Sequence, residues 1–175
     1  MTPEFTRPHR LDQLGVGETA VEIEATPDER AALARRFDLV AIDRLAARFA
    51  LVRDAIGVRA SGHLSAAVTQ SCGVTGDPLP AEIKEDFAIR FRPEPAQDES
   101  HDDIELDEEE MDVVFYTGSA LDLGEAAAET LALSLDPFPR SPGAAEILRQ
   151  AGVISEEEAV PLSPLAAALQ GKLKN

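Results

Sequence analysis

The sequence predicts an α+β fold: an antiparallel β meander, packed C-terminal helices and an acidic loop insertion between them. Three observations predict it. Apolar residues recur at every second position through Leu45, Ala47, Phe49 and Leu51, and again through Val58, Ala60, Leu64, Ala66 and Val68. This is the spacing of strands buried on one face. Further on, Leu123, Ala127, Leu131 and Leu135 follow at i+4, the stripe of a helix. Thirdly, residues 93–139 hold fifteen acids and neither Lys nor Arg, and eleven of those acids crowd into 94–112. Mutual repulsion keeps such a run extended and solvated.

Taken in order, Val21 and Ile23 alternate with Glu22 and Glu24 as a short half-buried strand. Thr26-Pro27-Asp28-Glu29 then starts a helix that runs to about Phe37. Thr26 is its N-cap, Pro27 its first residue, and Glu29 closes a capping box. The strand through Leu45–Leu51 sets Arg44 and Arg48 on its other face, and Asp54-Ala55-Ile56-Gly57 is turn chemistry. In the next strand Arg59, Ser61, His63, Ser65 and Thr69 oppose the apolar set. Gly62 falls on the inner face, where a missing side chain marks a bulge or a close backbone approach. The same period turns Cys72 inward. After the turn Gly76-Asp77-Pro78, residues Ile83, Phe87, Ile89 and Phe91 face in against Lys84, Asp86, Arg90 and Arg92. Three neighbouring strands with short turns make the meander.

Pro93 and Pro95 end the last of these strands and open the acidic insertion over 93–112. Val113-Val114-Phe115-Tyr116 adds a further strand, Asp122 starts the Leu-rich helix, and Asp136-Pro137-Phe138-Pro139 stops it. Short helices are expected over 144–150 and 165–173. At 175 residues the chain reads as a single domain, 1–175, by the prior of roughly 150 residues per domain.

Composition narrows the function. A net charge of −17 argues against phosphate binding by the surface as a whole, which needs clustered Lys and Arg. It suits a basic partner. One cysteine leaves no intrachain disulfide and no Cys-only zinc site. No apolar run approaches a membrane span, and Met1-Thr2-Pro3-Glu4-Phe5 lacks the regions of a secretory signal, so a cytoplasmic location is expected.

Cys72 has only Ser71 and Gly73 beside it and reads as a small buried hydrophobe at a strand end. His9, His63 and His101 lack the company of a zinc or hydrolase motif. Asp98, Ser100, Asp102 and Glu109 match four ligand positions of an EF-hand loop, but Asp103 stands where that loop requires Gly. Gly15-Val16-Gly17 is an incomplete dinucleotide fingerprint, and no phosphate-binding P-loop occurs. No catalytic residue, metal site or cofactor is therefore expected. Arg44, Arg48, Arg59, Lys84, Arg90 and Arg92 would share the outer face of one sheet, though without aromatic residues to stack on bases.

The order of motifs carries a resemblance. A strand leads into Thr69-Gln70-Ser71-Cys72-Gly73-Val74-Thr75-Gly76-Asp77-Pro78-Leu79, then a strand with Phe87 and Phe91, then the acidic insertion. Ala120-Leu121-Asp122-Leu123-Gly124-Glu125 opens the helix that ends in Leu133-Ser134-Leu135-Asp136-Pro137-Phe138-Pro139, and Ser163-Pro164-Leu165-Ala166-Ala167-Ala168-Leu169 closes the pattern. Over 57–174 this resembles the YceD family (domain of unknown function 177), the large ribosomal RNA subunit accumulation proteins. The family pattern has C-x-x-C before the turn; Cys72 matches the first cysteine and Thr75 replaces the second, which removes a shared metal site here.

The resemblance implies a role in ribosome biogenesis and no catalytic residues. The expected protein is a non-enzymatic factor that binds a basic ribosomal protein or a large-subunit assembly intermediate. Asp102, Asp103, Asp107, Glu108, Glu109 and Glu110 are the expected contacts. The alternative is direct binding of ribosomal RNA through Arg48, Arg59 and Arg90. Neither DNA nor a membrane is an expected partner.

Overall fold

The computed structural model describes residues 3–94 and 112–153. The acidic contacts expected at Asp102, Asp103 and 107–110 lie outside the described residues, as do His101 and the helix expected over 165–173.

The period-two segments form the strands they predict. β1 (Pro8–Arg10) comes first, then β2 (Glu18–Glu24), β3 (Ala41–Arg53), β4 (Val58–Ser71) and β5 (Pro78–Pro93). β2 to β5 make a continuous antiparallel meander. β6 (Asp112–Tyr116) then joins β5 in parallel, with Ile89 beside Asp112 and Pro93 beside Tyr116. The expectation of a purely antiparallel meander is corrected at this point. A parallel neighbour cannot follow a hairpin; it needs a connection of about a dozen residues or more. The long acidic stretch supplies that length. A two-stranded sheet of β1 and β7 (Ala120–Asp122) lies apart from the five-stranded one.

Helix α1 (Pro27–Arg36) begins as its capping box predicts: the Glu29 N–H donates to Thr26 Oγ1 at 3.4 Å, and the Thr26 N–H donates to Glu29 Oε2 at 2.8 Å. Helix α2 (Leu123–Ser134) begins at Asp122, whose Oδ1 accepts from Gly124 and Glu125 N–H at 3.0 and 3.2 Å. A third helix, α3 (Ala144–Gln150), has the expected bounds.

Both longer helices cover one face of the large sheet, α1 over β3 and α2 over β4 and β5. Between them lie Leu33, Leu45, Leu51, Leu64, Phe91 and Leu131, all buried. Fully burying one such side chain stabilises by about 1.5–3 kcal/mol. Phe5 and Leu121, from the N-terminal segment and the small sheet, join the same core.

Two arginines hold the N-terminal segment against the helices. Arg7 donates to both Glu29 oxygens at 2.7 and 2.8 Å, while Arg36 reaches Glu4 at 3.1 Å and Glu125 at 2.6 Å. Arg7 holds the Glu29 carboxyl down at about 2. Gly124 admits this close approach, since a Cβ there would lie 2.4 Å from the Phe5 carbonyl oxygen.

Gly62 resolves as a close approach, with the ladder's one irregularity elsewhere, between Ile42 and Arg44. Phe49 and Phe87 stand on either side of it in register, their rings 4.9 Å apart. A Cβ on Gly62 would meet the Arg48 carbonyl oxygen at 1.9 Å and the Phe87 ring at 2.7 Å.

Candidate interaction surfaces

Register builds the outer face of the sheet. Glu22, Arg48, His63 and Asp86 form one row across β2 to β5, and Glu24, Ala46, Ser65 and Lys84 form the next. In the first row Arg48 Nε lies 3.0 Å from Glu22 Oε1, and His63 Nδ1 lies 2.8 Å from Asp86 Oδ1. With Arg44 these rows, Asp86 excepted, line a groove of about 560 Å³. Glu22 and Glu24 stand along it with Arg44, Arg48 and Lys84, so the face holds charges of both signs where a phosphate backbone would require a continuous basic strip. Exposed pairs of this kind add little stability.

The three arginines of the RNA alternative differ in setting. Arg48 is exposed and paired with Glu22, and Arg59 is exposed beside Arg90 in register. Arg90 pairs with Asp54, which also caps the β3–β4 turn by accepting from Ile56 and Gly57 N–H, and its side chain is only 13% exposed. One aromatic residue escaped the sequence reading of this face: β6 brings Phe115 beside Arg92 at the sheet edge.

Cys72 is buried, as its inward position predicts. Its immediate neighbours Ser71 and Gly73 give no reason for an unusual thiol; Thr75 across the turn and the distant Ser141 do. Thr75 N–H and Ser141 N–H donate to its sulfur at 3.5 and 3.2 Å, the second from 69 residues away. Hydrogen bonding from the Thr75 side chain, then from the Ser141 side chain and backbone, outweighs burial and draws the thiol down to about 6. Among the described residues no group of three or more His, Cys, Asp or Glu could hold a metal ion.

A second groove, of about 290 Å³, runs between β6 and α2. Val114 and Tyr116 pack inward on the core, leaving Phe115 53% and Leu133 80% exposed. The Glu94 N–H donates to the Tyr116 carbonyl at 3.0 Å, so the acidic stretch departs from one firmly paired strand and returns into another.

Residues 60–171 match the family described as large ribosomal RNA subunit accumulation protein YceD. The chain belongs to the YceD family. The match runs from the start of β4 through β5, β6, α2 and α3, and it confirms the resemblance carried by the Cys72 turn and the Asp122 helix start. No curated protein and no solved structure matches the chain. Membership places this YceD protein in ribosome biogenesis, in the accumulation of large-subunit ribosomal RNA. Among the described residues no helix is long and apolar enough to cross a membrane.

Proposed function

We propose that this YceD protein acts in the cytoplasm by binding, without catalysing a reaction, and that its acidic run engages a basic ribosomal protein or a large-subunit assembly intermediate. The observation that carries this reading is the density of charge: eleven acids and neither Lys nor Arg in 94–112, in a chain of net −17. A cluster of one sign raises association rates many-fold and makes binding strongly salt-dependent. Strands β5 and β6 give the run two anchors on a rigid frame.

The test is to replace Asp107, Glu108, Glu109 and Glu110 with Asn and Gln in the full chain, and to compare co-purified proteins and RNA at two salt concentrations. Loss of ribosomal proteins with an unchanged fold is the expected result. Undiminished recovery of the same proteins at both salt concentrations refutes the reading.

Direct RNA binding is the second reading, and one observation favours it. Arg44, Arg59 and Lys84 share the open face and have no acid partner among the described residues. Filter binding of ribosomal RNA would then weaken with rising salt and with Arg59→Ala; no retention at low salt removes it.

A further inference from the structure

The two edges of the large sheet differ. β2 carries Glu18, Glu22 and Glu24 among its seven residues, the charged protection natural sheets give an edge. β6 carries one acid, Asp112, followed by Val113, Val114, Phe115 and Tyr116, and among the described residues it has a strand neighbour on one side only. Because the Tyr116 carbonyl points to β5, the strand's alternation turns the backbone N–H and C=O of Val113 and Phe115 away from β5. That edge is a row of hydrogen-bonding groups beside exposed apolar side chains.

The groove next to it selects by charge. Among the described residues, Asp112 and Glu129 are the ionisable ones that line it, and both are acidic. Burial, and then the neighbouring Glu125, raise the Glu129 carboxyl, while Arg36 opposes them. An incoming cation would relieve that repulsion.

We propose that β6 is a strand-addition site for an extended, basic segment of a protein partner, which pairs with Val113 and Phe115, lays apolar side chains on Phe115 at the outer face, and on the helix side sets a Lys or Arg against Asp112 and Glu129. Added strands gain affinity from main-chain hydrogen bonds and specificity from pockets for alternate side chains. The inference rests on the reading that the partner is basic, and deepens it. Charge sets how fast such a partner arrives; the edge sets which sequence stays.

The experiment uses the full chain and two peptides of equal charge, one alternating Lys with Val and one alternating Lys with Gly, read by fluorescence anisotropy at a single salt concentration. The Lys–Val peptide is expected to bind at least ~10-fold more tightly. That preference is expected to vanish in Val113→Pro, which removes an outward donor, and in Phe115→Asn, which changes an exposed side chain on the face the Val side chains meet. It is expected to survive neutralisation of 107–110, which weakens both peptides together. Equal binding of the two peptides overturns the edge site and leaves the acidic-run reading standing. Unchanged binding of both peptides after the neutralisation counts against that reading instead. Slow hydrogen exchange at the Val113 and Phe115 amides of the free chain would also overturn the proposal, because the edge would already be covered by another segment or a second copy.

Discussion

The two faces of the five-stranded sheet are made from the same strands and could hardly differ more. On the inner face Leu45, Ala47, Phe49 and Leu51 of β3 and Val58, Ala60, Leu64, Ala66 and Val68 of β4 are all buried under two helices. On the outer face the residues between them are charged, small or hydroxylated, and meet in exposed rows such as Glu22, Arg48, His63 and Asp86. One face supplies the stability and the other supplies surface. Chain neighbours should therefore respond to mutation by very different amounts.

The sharpest comparison is between adjacent residues of β4. Leu64→Ala empties a fully buried site and should cost about 2–5 kcal/mol. His63→Ala, one residue away on the open face, should stay within about 0.5 kcal/mol. Urea midpoints at constant slope measure both. Comparable losses at the two positions would mean that the outer face is as structural as the inner one.

Gly62 tests the inner face by addition. Gly62→Ala should cost about 1–3 kcal/mol by overpacking. Shortening Phe87 should not rescue it, because the nearer obstacle is the Arg48 carbonyl, a backbone atom. A stabilised Gly62→Ala in thermal unfolding would show that the β3 backbone at Arg48 gives way to the added Cβ.

Most of the inner face was legible in the sequence because its causes are local. Strand period, the Thr26 capping box, the Asp54 turn and the Asp122 helix start each involve residues within a few positions of one another, and each forms as its pattern predicts. What escaped depends on distant partners. β1 and β7 are three residues each, too short for a period, and pair His9 with Leu121 across most of the chain. The parallel placement of β6, the Ser141 N–H on Cys72 and the loss of Arg90 to Asp54 are likewise set by tertiary neighbours. Only the length of the acidic stretch hinted at any of them, since a parallel strand needs a long connection. The six acidic contacts stay a reading of charge alone.

The helix cover of the inner face has a pH signature. Glu29 sits at about 2 in the folded chain against an ordinary 4.5, because the Arg7 guanidinium binds the carboxylate. A depressed carboxyl stabilises the fold above its unfolded value, and that contribution is lost as pH falls through its folded value. Stability should therefore decline between pH 4.5 and about 2, and Glu29→Gln should flatten that part of the profile while lowering stability at pH 7. Identical acid limbs for the two proteins would remove Glu29 as the cause.

The smallest effect belongs to the open face. Arg48 and Glu22 lie 3.0 Å apart with side chains 76% and 69% exposed, so water screens them and ordering two long side chains offsets most of their attraction. Arg48→Ala should shift stability by less than ~0.5 kcal/mol, and the double replacement with Glu22→Ala by no more than the separate changes together. If the outer face is surface kept for a partner, the same Arg48→Ala should alter partner recovery more than it alters the urea midpoint. A variant that loses stability and recovery in proportion would instead make the open face a second, exposed part of the scaffold. Then the contrast between the faces would be one of degree.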